Sequence, residues 1–144
     1  MTTDYDEYLK AVLDEPAEAA QTIYPRRSMF RGLRRLVGGG IEGRFKTSNL
    51  LTVTADRVLI FPQQLARGTG LTLQPAVLDW PRADVRAAGV RRCHLGTDNL
   101  PGQGSDYVLV DLRRASETVQ FEVHRKGHQK IIHALGVKLT GKWD

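Results

Sequence analysis

The stretch "RRSMFRGLRRLVGGGIEGRFK", residues 26–46, holds the densest set of groups able to grip a ligand. Arg26, Arg27, Arg31, Arg34, Arg35, Arg44 and Lys46 stand against a single acid, Glu42, with Met29, Phe30, Leu33, Leu36, Val37 and Ile41 mixed among them. Guanidinium groups at this density suit phosphate or carboxylate, and beside an anionic leaflet each adds roughly 1 kcal/mol of attraction. Met29, Phe30, Leu33 and Leu36 are the candidate interface residues. Three uses fit them: entry into a bilayer interface, cover for the fold's own sheet while the arginines snorkel to water, or contact with a neighbouring subunit. The sequence alone leaves all three open.

Other reactive side chains are poorly spaced for chemistry. Cys93 and His94 are adjacent, and neighbouring strand residues point to opposite faces, so they make a poor nucleophile–base pair. His124 and His128 have the four-residue spacing of a helical metal pair. However, His124 ends a strand-like run and Gly127 interrupts, which leaves too few ligands on one face. Asp79, Asp84 and Asp98 have no evident partners. "GTGLTLQ" and "GGGIEG" lack the Gly-Lys-Ser/Thr of a phosphate-binding loop. The expectation is a protein that is not an enzyme, with no catalytic residues, no metal site and no cofactor.

Charge is unevenly spread. Residues 1–20 carry six acids and one Lys, residues 21–46 seven bases and one acid, and residues 47–144 thirteen bases and nine acids. An acidic leader beside a basic segment can pair with it, or the basic segment can serve an external anion. A sequence pI near 9.7 is compatible with nucleic acid. Yet no recognition helix, stacking pair or zinc motif is present, and aromatics make up 7% of the chain, so nucleic acid ranks below lipid and protein partners.

The 144 residues fit one domain able to bury its own core. The one cysteine excludes an intrachain disulfide and points to a reducing compartment. The acidic start "MTTDYDEYLK" is unlike a secretory signal, and no apolar run approaches the roughly 20 residues of a membrane span. A cytoplasmic location is expected.

The elements that would hold these groups are mostly strands. "DYDEYLKAVL" (4–13) sets Tyr5, Tyr8, Leu9, Val12 and Leu13 at helical spacing, and Pro16 reads as a new helical start. "AAQTIYPRRS" is a short first strand limited by Pro25. "SMFRGLRRLV" is a loop or short basic helix ended by Gly38–Gly40. "LLTVT" and "RVLIF" form a tight hairpin that Pro62 should stop, leaving "PQQLARGTGLTLQP" (62–75) as a connection. "VLDW" (77–80) and "ADVRAAGVRRC" (83–93) are strands, and "HLGTDNLPGQGS" (94–105) is a loop. "DYVLVDL" and "TVQFEV" alternate as half-buried strands joined by "RRASE". "RKGHQKIIHALG" is a helix with Ile131, Ile132 and Leu135 on one face and Gly136 at C′.

The order of three pieces resembles the bacterial pleckstrin-homology-like (PH-like, or GRAM-like) domains. These are "LLTVTADRVLIF" with its Thr-x-Asp-Arg turn, "VLDWPRADVRAAGV", and the closing strand–strand–helix "YVLVDLRRASETVQFEVHRKGHQKIIHALG". Together they cover roughly residues 44–137. The resemblance implies a mainly β fold: a partly open antiparallel β-barrel of six to seven strands capped by a C-terminal helix. The division is an acidic helical leader (1–18), the barrel domain (19–137) and a tail (138–144). It also implies a non-catalytic adaptor that binds anionic membrane lipids at the inner face of the membrane, or a protein partner, through a basic loop between its first two strands. Residues 26–46 would be that loop. The alternative is a self-assembling interaction domain, a homo-oligomer in which the basic loop is incidental.

Overall fold

Alternation of buried side chains is the clearest organising signal along the chain. The computed structural model describes residues 13, 15–25, 48–66, 70–93, 106–124 and 127–141. They form nine strands and one α-helix: β1 (Ala17–Pro25), β2 (Asn49–Thr54), β3 (Arg57–Ala66), β4 (Gly70–Leu73), β5 (Leu78–Pro81), β6 (Arg86–Cys93), β7 (Asp106–Arg114), β8 (Glu117–His124), α1 (His128–Leu135) and β9 (Lys138–Thr140). The mainly β class expected from the sequence is thus observed. Along one continuous ladder the order is β4-β3-β2-β1-β8-β7-β6-β9, with β5 also paired to β3. All pairings are antiparallel except β6 with β9.

The connectivity obliges this sheet to curl. β5 and β6 follow one another through a single 3-10 turn, Arg82–Asp84. Along the ladder they are separated by β3, β2, β1, β8 and β7. Laid flat, six inter-strand steps would part them by about 29 Å. The chain from Pro81 to Arg86 reaches at most about 18 Å. Curling gives the sheet an inside. Ile23, Leu51, Val53, Val58, Ile60, Val108, Val110, Leu112, Val119, Phe121 and Val123 fill it, with Ile131 and Ile132 of α1 laid across. The alternation read in 106–112 and 118–123 matches this inside face residue for residue. Gly136 takes a left-handed conformation at the end of α1 (φ 67°) and donates its N–H to the His133 carbonyl.

Four expectations change. The strands number nine, against the six to seven expected, because the stretch 62–75 contributes β4 and the segment after α1 contributes β9. Pro62 does not stop β3, which continues to Ala66 and pairs with β4 at Gln63↔Leu73 through Ala66↔Gly70. From Gln63↔Leu73 to Ile60↔Leu78, three steps on β3 are matched by five on its partner, so two extra residues bulge out opposite Pro62. The missing proline N–H therefore falls where the ladder is already broken. Pro16 precedes a strand, not a helix: Ala17 and Ala19 pair with Thr54 and Val53, and this tertiary pairing overrides alanine's helical preference. The segment taken as tail supplies β9, which packs on β6 because Gly89 leaves room. A Cβ there would stand 2.9 Å from Val137 Cγ1 and 3.0 Å from Leu139 Cδ2. The leader helix over 4–13 and the elements read in 26–47 and 94–105 lie outside the described residues, Leu13 excepted.

The β7–β8 turn holds one strained residue. Arg114 and Glu117 pair across it, and Ala115, the first turn residue, has φ 53° while Ser116 does not share a positive φ. That position ordinarily takes glycine. Ala115→Gly should raise stability by about 0.5–1 kcal/mol, the relief of left-handed strain less the entropy glycine gains on unfolding, readable as a higher denaturant midpoint at constant m.

Candidate functional site

Strand directions sort the connections between two ends of the sheet. β1 runs towards Pro25, β2 returns from Asn49, and the two pair at Ile23↔Asn49. Residues 26–48 therefore connect them at one end. β3 runs towards that same end and turns back into β4 through residues 67–69. β8 lies antiparallel to β1 with Pro25 opposite Phe121, so its first residues reach past the end of β1. The β7–β8 turn, flanked by Arg113, Arg114 and Glu117, thus belongs to this end as well.

The basic groups gather there. The link 26–48 contains Arg26, Arg27, Arg31, Arg34, Arg35, Arg44 and Lys46, the link 67–69 contains Arg67, and the turn adds Arg113 and Arg114. The acids at these three connections are Glu42 and Glu117. Arg113 is 65% exposed and meets Asp111 Oδ2 only at 3.9 Å, a contact of little energetic weight at an exposed site. Across the ladder it sits opposite Arg86, so like charges face one another where a counter-charge would stabilise both. The seven basic candidates of 26–46, and Met29, Phe30, Leu33 and Leu36 with them, lie outside the described residues. The strands fix where their segment starts and ends.

At the opposite end two arginines have acidic partners. Arg57 holds Asp79 bidentately, Nε to Oδ1 at 3.0 Å and Nη2 to Oδ2 at 2.5 Å. Arg82 donates to Glu18 Oε2 at 2.8 Å, to the Thr54 carbonyl at 2.9 Å and to the Ala134 carbonyl at 2.5 Å. One guanidinium thereby ties the start of β1, the end of β2 and the last turn of α1, whose terminal carbonyls attract a cation. Thr54 of the Thr-x-Asp-Arg turn accepts the Arg57 N–H at 2.9 Å and donates its hydroxyl proton to Glu15. That hydroxyl, helped by the Asp56 N–H and the Arg57 charge, holds the Glu15 carboxyl below the ordinary range.

The remaining reactive residues do not converge. His124 ends β8 exposed, edge-on to the Tyr24 ring at 4.6 Å between centroids, whereas His128 begins α1 buried. Gly127 between them is left-handed (φ 81°), so the two imidazoles share no helical face. Among the described residues no three His, Cys, Asp or Glu side chains are arranged to hold a metal ion. Among them, too, no helix is long and apolar enough to cross a membrane.

Sequence reading located the basic link but missed its neighbours. Arg113 and Arg114 read only as turn residues, and register alone brings them beside the end of β1. Arg82 and Glu15 carry no sequence signal for their partners, which are 28 to 64 and 39 to 41 positions away. In comparisons with known proteins, no family model, no curated protein and no solved structure matches the chain.

Two substitutions test the Arg82 and Glu15 contacts. Arg82→Ala should destabilise by about 1.5–3 kcal/mol, because it strands two backbone carbonyls, and Arg82→Lys should restore only part of this. Urea titration measures both. Glu15, with its folded-state pKa depressed, adds stability above its unfolded pKa and loses it as pH falls through the folded value. Glu15→Gln should therefore lower the melting temperature at pH 7, and the difference from the parent should vanish in strong acid.

Proposed function

We propose that the chain is a non-catalytic PH-like binding domain that engages an anionic membrane surface through its β1–β2 link. One observation carries the reading: strand directions bring three connections that contain or are flanked by arginine to one end of the curled sheet, while Arg57 and Arg82 at the β2–β3 turn are paired with Asp79 and Glu18. A charge distribution of this kind orients a protein towards an acidic surface before any specific contact forms. The fold supports the PH-like part of the reading. Up-and-down antiparallel strands curl round one core, a helix follows the last long strand and lies against β1 and β2, and the basic link joins the first two strands.

Arg26, Arg27, Arg31, Arg34, Arg35, Arg44 and Lys46 are the contacts to the lipid headgroups, and Arg113 and Arg114 extend the basic surface. Met29, Phe30, Leu33 and Leu36 enter the interfacial region, where charge attraction and apolar burial add. Against the self-assembly alternative, Val90 is the one large apolar side chain exposed among the described residues. That surface offers little area of the kind that holds subunits together.

Vesicle sedimentation tests the proposal. The protein should pellet with vesicles containing phosphatidylserine, stay in solution with neutral vesicles, and release as salt is raised. Replacing Arg31, Arg34 and Arg35 with Ser should lower the partition constant by about two orders of magnitude, at roughly 1 kcal/mol per charge, with little change in melting temperature. Equal retention on neutral vesicles would reject the reading, and a concentration-dependent oligomer in light scattering without vesicle binding would favour self-assembly.

A further inference from the structure

β2 and β3 are buried on both faces, and the inner face is fully accounted for by the core. On the outer face, Leu50 of β2, Leu59 and Phe61 of β3 and Leu73 of β4 form a second apolar cluster. Phe61 and Leu59 are each 1% exposed, which an uncovered outer face could not give. Thr52 Oγ1, on the same face, is buried without a hydrogen-bond partner, as expected under an apolar cover. Among the described residues, Leu13 alone joins this cluster from outside the sheet.

We propose that the acidic leader, residues 1–12, is that cover, seating the stripe Tyr5, Tyr8, Leu9 and Val12 on the outer face of β2, β3 and β4. Leu13 is the last member of this stripe and already occupies the face. Two residues on, Glu15 accepts the Thr54 hydroxyl and the Asp56 N–H, which pins the leader's exit at the β2–β3 turn. The dimensions agree: β2 from Asn49 to Thr54 spans about 17 Å, and a helix over 4–13 would span about 15 Å. Its acids, Asp4, Asp6 and Glu7, lie off the stripe and remain hydrated. The competing cover is the apolar set Met29, Phe30, Leu33 and Leu36. The inference is independent of membrane binding.

Thiol protection in the full chain decides between them. With Cys93→Ser as background, Leu73→Cys places a thiol at the edge of the face. It should react slowly with a small maleimide. Leu9→Ser with Val12→Ser should speed the reaction at least about tenfold by opening the cover, and Phe30→Ser with Leu33→Ser should leave it unchanged. Ile60→Cys, on the inner face, reports global unfolding and should stay protected throughout. Where it does not, Val12→Ala replaces the serine pair. An unchanged rate in the leader variants, or exposure by the Phe30 and Leu33 variant instead, would overturn the proposal. No vesicle enters the measurement, so its failure is separate from failure of the membrane reading.

Discussion

A four-residue span, Arg82 to Val85, sets the shape of everything else. It must join two strands that the ladder places six steps apart, and no flat sheet allows this. Curling brings the alternating apolar residues of β1 to β3 and of β6 to β8 onto one enclosed face, so the hydrophobic term and the connectivity favour the same geometry. Arg82 begins this span, and its guanidinium fastens β1, β2 and α1 beside the point of closure. Fixing three carbonyl or carboxylate partners with one planar fork demands little extra ordering once the turn is in place.

The same span joins two regions of different charge. Where the span begins, Arg57 and Arg82 are held by partners the fold supplies. The span then delivers Arg86, the first residue of β6, opposite Arg113 and beside the β7–β8 turn. The concentration of basic residues at the end holding that turn is hard to derive from folding, because like charges opposed across a ladder, such as Arg86 and Arg113, work against stability.

How much of this the sequence discloses depends on whether a residue's partner is local. The hairpin 50–61, the strands 106–112 and 118–123 and the helix ending at Gly136 are legible because periodicity and turn chemistry lie within ten residues of one another. β4 was hidden by Pro62, whose missing N–H is harmless only because a two-residue bulge stands opposite it, a fact of register. β1 begins two residues before the strand read from Ala19, because Pro16 and Ala17 suggest a helical start and the partner of Ala17, Thr54, lies more than thirty residues away. β9 is three residues long and parallel, and it exists because Gly89 has no side chain to exclude it. Arg113 and Arg114 gave no local signal, since only pairing through β8 brings the β7–β8 turn to the end of the sheet where residues 26–48 connect β1 and β2.

The second apolar cluster completes the physical picture, since a two-faced strand pair inside an open sheet is an unusual demand on a chain of this length. β2 is buried at all six positions, whereas β8, further along the same ladder, alternates near its start as a half-covered strand should. The asymmetry means that the β2–β3 side of the sheet has two layers over it and the β6–β8 side one. Leu13 in the outer cluster and Glu15 on Thr54 tie the chain just before β1 to the hairpin carrying the Thr-x-Asp-Arg turn.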